Sequence, residues 1–152
     1  MISRLTGSIV HVDLKYVVLD VAGVGYKVSV GPDLFSKLDK KGSITLWTYL
    51  AVREDAMDLY GFLTMADLKF FELLITISGI GPKTAMGILN VATVHSLETA
   101  IQTGDTTHLT KVSGIGKKMA EKIVMELKDK VIETSGSAEN QAIMKNDADA
   151  LE

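Results

Sequence analysis

The 152-residue chain has no cysteine. That excludes a disulfide framework, thiolate zinc sites and cysteine-ligated iron–sulfur clusters, and it suits a reducing compartment. No apolar run approaches the length needed to span a bilayer. The start, Met1-Ile2-Ser3-Arg4, has no apolar stretch following a basic segment, so no signal peptide is read and a cytoplasmic location is expected. Nucleotide chemistry is missing as well. Gly116-Lys117 has neither the upstream glycine nor the following Ser or Thr of a phosphate loop, and Val24-Gly25 does not grow into a dinucleotide G-x-G-x-x-G. His11, His95 and His108 lack metal-ligand spacing, and no Ser-His-Asp or Cys-His set can be assembled. The expectation is a chain with no catalytic residues, no metal and no cofactor. Positive charge is also scarce: the net charge is −3.

What the chain does have is a repeat. Ile77-Ser78-Gly79-Ile80-Gly81-Pro82-Lys83 returns as Val112-Ser113-Gly114-Ile115-Gly116-Lys117-Lys118. Each copy runs on into a helical pattern with Ala at one matching place (Ala85, Ala120) and Ile at another (Ile88, Ile123), and each follows an apolar segment that also reads as helix. Helix, Gly-Ile-Gly turn and helix, twice over, outline a tandem helix-hairpin-helix module. The glycines open backbone conformations closed to other residues and leave no Cβ to hold a ligand away. The turn delivers the first N–H groups of a helix, which lack intrahelical partners, together with the positive end of its dipole. Both suit a phosphate. Pro82 fits the first helical position, where no N–H is required. Lys83 and Lys118 add a cation at the same offset, and the Ile between the glycines is expected to bury itself between the two helices. A glycine-capped helix–helix turn is the plainer reading of one copy; the second aligned copy argues against it.

Charge distribution bears on the same point. Residues 111–130 carry Lys111, Lys117, Lys118, Lys122, Lys128 and Lys130 against Glu121, Glu126 and Asp129, whereas Glu54, Asp55 and Asp58 lie elsewhere. One-sided charge can bind and orient a polyanion despite an acidic total.

Ahead of the repeat the pattern is β. Ile2–Val12, Tyr16–Val30 and Ser43–Val52 are rich in Val, Ile, Leu, Tyr and Thr, with Asp58–Phe62 as a closing strand and Pro32–Leu38 as a short helix or turn. About five strands with one small helix suggest a partly open barrel of the oligonucleotide-binding type; a generic small β-barrel fits the pattern nearly as well. The fold class is therefore β plus α, multidomain: a barrel over 1–63, an all-α tandem helix-hairpin-helix domain over 64–133, and a polar linker or tail over 134–152. Within the α part, Thr64 caps with Asp67 three residues on. Helices are expected over Lys83–Asn90 and Val94–Gln102, the latter stopped by Gly104, and over Lys117–Ile132.

In order along the chain, Met1–Gly7, Val21-Ala22-Gly23-Val24-Gly25-Tyr26, Val52-Arg53-Glu54-Asp55-Ala56, Leu59-Tyr60-Gly61-Phe62 and the two hairpins together resemble the RuvA family of bacterial Holliday-junction branch-migration proteins. The match covers residues 1 to about 133, and the combination is far more specific than any single piece. The resemblance implies a barrel followed by tandem hairpins, assembled as a homotetramer, or a pair of tetramers, that holds a four-way DNA junction open. It assigns Gly79, Gly81 and Lys83 to one DNA-binding hairpin and Gly114, Gly116, Lys117 and Lys118 to the other. It makes Glu54 and Asp55 an acidic pin at the tetramer centre, repelling phosphates at the crossover. Arg53 suits either a phosphate contact or pairing with a carboxylate. Family members continue into a third helical domain that binds the hexameric ATPase RuvB, and the expectation here is that this contact is missing.

Two rivals belong to other classes. A glycosylase-like repair enzyme would cast Asp105 and Lys111 as its catalytic pair. A single-strand binder would use Tyr26, Trp47 and Tyr49 as stacking surfaces, although core or subunit contacts explain those rings at least as well.

Overall fold

The structure is a computed structural model that describes residues 1–38 and 42–130. The expected end of the last helix at Ile132, the domain limit at 133 and the tail over 134–152 lie outside the described residues. The chain divides into two compact units, Met1–Val94 and the part from His95 onward.

The first unit opens with a β-barrel. Strands β1 (Arg4–Val12), β2 (Tyr16–Val21), β3 (Val24–Ser29), β4 (Ser43–Val52) and β5 (Met57–Phe62) are joined in the cyclic order β1-β2-β3-β5-β4. β1 pairs antiparallel with both β2 and β4, and β3 pairs parallel with β5. The β1–β4 ladder, Arg4↔Trp47 through Ser8↔Ser43, closes the barrel, where the sequence pattern suggests one that stays partly open. The single run Tyr16–Val30 is broken into β2 and β3 by Ala22 and Gly23, both at positive φ (51° and 88°), the conformation a two-residue hairpin turn requires. The helix α1 (Pro32–Ser36) bridges β3 and β4.

Period-two alternation decides which side chains fill the barrel. Leu5, Val17, Leu19, Val28, Val30, Leu46 and Leu59 are buried in one cluster. Thr48 joins them at 2% exposure, and its hydroxyl donates to the Ile2 carbonyl at 2.6 Å. Its backbone N–H donates to the Ser3 carbonyl at 2.9 Å, so β4 ties down the N-terminal segment.

The opposite face of the β4–β5 pair carries Tyr49, Tyr60 and Phe62, and the helix α2 (Met65–Ile75) covers it. Phe71, fully buried, meets those three rings at centroid distances of 5.4, 5.6 and 4.9 Å. Burial also raises the pKa of the Tyr60 hydroxyl, with a further push from the Asp58 carboxylate. α2 begins where the sequence places it: Thr64 Oγ accepts the Asp67 N–H at 3.2 Å. Thr64→Ala removes this cap and is expected to cost about 1 kcal/mol of unfolding free energy in a denaturant titration. The helix α3 (Pro82–Val91) follows, burying Ala85 and Ile88.

The second unit begins as α4 (Val94–Thr103) gets under way. Gly104, at φ 75°, ends that helix: the Asp105 N–H reaches the Ala100 carbonyl at 2.8 Å and the Gly104 N–H reaches Ile101 at 3.3 Å. This is the Schellman pattern, so the stop expected at Gly104 has its usual cause. The four-residue helix α5 (Thr107–Thr110) leads into the second turn, and helical residues 117–130 form α6. Ala120, Ile123, Val124 and Leu127 make the buried stripe of α6 at three- and four-residue spacing.

Candidate nucleic-acid interface

The two hairpins have the same backbone, position by position. In the first, the Ile77 N–H bonds to Leu74 O at 3.1 Å, Ile80 to Ile77 at 3.0 Å and Ala85 to Gly81 at 3.0 Å. In the second, Val112 bonds to Leu109 at 3.1 Å, Ile115 to Val112 at 3.1 Å and Ala120 to Gly116 at 3.0 Å. Gly79 and Gly114 stand at φ 91° and 90°. Ile80 and Ile115, the residues between the glycines, are each 5% exposed, so both turns are anchored by a buried isoleucine as their pattern predicts. All four glycines and Lys83, Lys117 and Lys118 lie at the surface.

The paired glycines differ in why they are glycine. Gly79 and Gly114 occupy the left-handed region, which side chains with a Cβ adopt at a cost. Gly81 has φ −92° and ψ 177°, ordinary extended backbone, and a Cβ added there would meet nothing within 4 Å. Gly116 likewise has open space around it, and its φ lies outside the left-handed range. Neither backbone conformation nor internal packing demands a glycine at these two positions. Each sits at the mouth of a helix. Gly81 is the N-cap of α3 with no side-chain cap bond, and Pro82 fills the first helical position. The unbonded N–H groups of the first turn and the helix dipole point outward beside it.

Glu54 and Asp55 form the exposed tip of the β4–β5 hairpin. The ladder runs to Val52↔Met57, and the Arg53 N–H donates to the Ala56 carbonyl at 2.8 Å to close the turn. Both carboxylates project from a short, ladder-supported loop. Arg53 pairs with a carboxylate: its Nη2 lies 3.1 Å from Asp58 Oδ2 across the hairpin. With side chains 64% and 43% exposed, the pair contributes little to stability, at most about 1 kcal/mol. In the sequence alone Asp58 counts only as bulk negative charge. Its link to Arg53 depends on the cross-strand register, Ala51↔Asp58, which a linear pattern does not display.

Of the residues that rival readings would need, Asp105 and the three aromatics are engaged within the protein, whereas Lys111 is exposed. The Asp105 carboxylate accepts both the hydroxyl and the N–H of Thr107, at 2.5 and 2.9 Å, and these bonds hold its pKa below the usual carboxylate range. It orders the start of α5. Tyr49 meets Phe71 in a T-shaped contact, and Tyr26 packs half-buried on the barrel core. Trp47 is half-buried with the Arg4 guanidinium 5.5 Å over its ring. These three aromatics do not offer a row of free stacking faces.

Comparison with known proteins matches this architecture twice. The family described as RuvA N terminal domain matches residues 1–61, and the SAM-like helix-hairpin-helix tandem family matches residues 71–129. A protein of Trichlorobacter lovleyi is 45% identical over 148 residues, covering 97% of this chain and 72% of its own length. One of Thermoanaerobacter sp. is 43% identical over 149 residues, 94% of this chain and 80% of its own. One of Symbiobacterium thermophilum is 44% identical over 132 residues, 86% of this chain and 64% of its own. Each is named Holliday junction branch migration complex subunit RuvA.

The chain belongs to the RuvA family.

As a RuvA-family chain it carries the RuvA N-terminal part, with the barrel and the Glu54–Asp55 turn, followed by a tandem helix-hairpin-helix part. The glycine pairs, which the repeat singles out, and the acidic turn, to which the family resemblance points, are all at the surface.

Proposed function

We propose that this chain is a non-catalytic DNA-binding subunit that recognises four-way Holliday junctions and holds them open for branch migration. In this reading the barrel (1–63) carries the acidic turn and the tandem hairpins (64–133) grip duplex arms. The exposed amides at Gly79, Gly81, Gly114 and Gly116, with Lys83, Lys117 and Lys118, take backbone phosphates and read no bases. Glu54 and Asp55 act as a pin: copies gathered around a fourfold axis repel phosphates at the crossover and keep its strands apart. A homotetramer, alone or paired with a second, is the assembly this requires. The ATPase RuvB is the family's partner for driving migration, so hydrolysis belongs to that partner and the work is cytoplasmic.

The observation that carries the reading is the pair Gly81 and Gly116. They are glycines at helix mouths with no internal reason to lack a Cβ, which is what the close approach of an external backbone to the amides would require. Competition binding among a four-way junction, linear duplex and single strand, combined with native mass measurement, tests it. The expected result is preference for the junction whatever its sequence, in complexes containing four or eight protein copies. Equal affinity for duplex and junction, or a monomer on DNA, would contradict it.

A further inference from the structure

The two hairpins share a backbone but differ in what they offer a phosphate. At the first helical position the first repeat has Pro82 and the second has Lys117. Proline has no N–H, so the mouth of α3 presents Gly81, Lys83 and Thr84 as donors, whereas that of α6 presents Gly116, Lys117, Lys118 and Met119; the next amides, Ala85 and Ala120, are already bonded within the helix. Side-chain charge differs in the same sense. The turn residue matching Thr76 is Lys111, and the pair matching Pro82-Lys83 is Lys117-Lys118. Lys111, Lys117 and Lys118 are all exposed, while the first mouth has Lys83 alone. The rest of the first hairpin does not compensate: Asp67 and Glu72 offset Lys69. On α6, Lys122 lies 3.9 Å from Glu126, and Glu121 and Asp129 stand against Lys128 and Lys130, so the second hairpin's excess charge is that of Lys111, Lys117 and Lys118.

Resting on the DNA-binding reading above, we infer that the hairpins grip unequally: the second is the anchor on the sugar–phosphate backbone, and the first is a lighter, yielding hold. The ligand chemistry is shared, a backbone phosphate; the strength differs because one mouth has an extra amide and an extra cation, and the turn leading to it carries Lys111 as well. A firm hold beside a weak one suits a duplex that must advance past the protein, since only one strong set of interactions has to be remade at each step. Lys111 belongs to this anchor.

The test exchanges the differing positions. Each variant is measured against a four-way junction across a salt series, with thermal unfolding as a control for folding. Proline is well tolerated at a first helical position, so Lys117→Pro should fold. Lys111→Thr with Lys117→Pro is expected to weaken junction binding by roughly 10-fold to 100-fold and to flatten the plot of log affinity against log salt by about 0.9 for each phosphate no longer neutralised. The reverse change, Thr76→Lys with Pro82→Lys, is expected to tighten binding and steepen that slope. Lys83→Ala is expected to cost less than Lys118→Ala. Equal losses from Lys83→Ala and Lys118→Ala, with no gain from the reverse change, would overturn the inequality while leaving junction binding intact. Absence of junction binding by the unaltered protein would instead overturn the reading on which it rests.

Discussion

Replacing Gly81 and Gly116 together by alanine will lower affinity for a four-way junction by about 100-fold or more, from loss of a charge-assisted hydrogen bond or two at each hairpin, while leaving the protein folded. The two halves of this expectation come from one geometric fact. An alanine methyl at either position enters open space in the free protein, and the backbone there is outside the left-handed region. Alanine narrows the unfolded ensemble but is a poorer N-cap than glycine, so the two effects oppose each other and stability should change by no more than about 1 kcal/mol per site. The same methyl would stand between a phosphate and the amides at the helix mouth. A folded protein that no longer binds would separate ligand approach from folding. Gly79→Ala and Gly114→Ala make the contrasting pair: at φ near 90° they strain the turn itself, so affinity and stability should fall together. Junction titration beside chemical denaturation reads both quantities.

Neutralising the acidic turn will have the opposite sign. Glu54→Gln with Asp55→Asn should tighten junction binding by roughly 10-fold at low salt, since each exposed carboxylate within a Debye length of a phosphate costs a few tenths of a kcal/mol and several copies act together. The gain should shrink as salt is raised. Strand separation at the crossover, followed with a fluorescent base analogue there, should decrease at the same time. The β4–β5 ladder up to Val52↔Met57 and the Arg53–Ala56 closure involve neither side chain, so the turn itself should persist. A large loss of affinity would mean that Glu54 and Asp55 support structure and do not repel DNA.

Much of this architecture is legible in the sequence because its signals are local. The duplicated Gly-Ile-Gly, the Thr64 cap, the Gly104 stop and the alanine–isoleucine spacing are each satisfied within a few residues by backbone bonds of the expected kind. The barrel strands are readable for the same reason, and Gly23 marks where Tyr16–Val30 divides. Its closure is not. The β1–β4 and parallel β3–β5 ladders join segments far apart in the chain, and nothing periodic in either partner announces the pairing. Arg53 shows the same limit at smaller scale, since its partner Asp58 is chosen by register across a turn. Asp105, which composition alone allows as a catalytic acid, becomes a helix-ordering residue once Thr107 is seen to bond it twice. The candidate hairpin residues stand out by their repeated motif; the open space around Gly81 and Gly116 is visible only in the structure.

The central claim is that main-chain amides at the two glycine turns meet DNA phosphates. Amide NMR of the labelled protein, titrated with a synthetic four-way junction, reads it atom by atom. The account predicts the largest shifts at Gly79, Gly81, Lys83, Gly114, Gly116, Lys117 and Lys118, fading with added salt. Unmoved amides at those turns, with the shifts concentrated instead on the barrel strands around Trp47 and Tyr26, would contradict it.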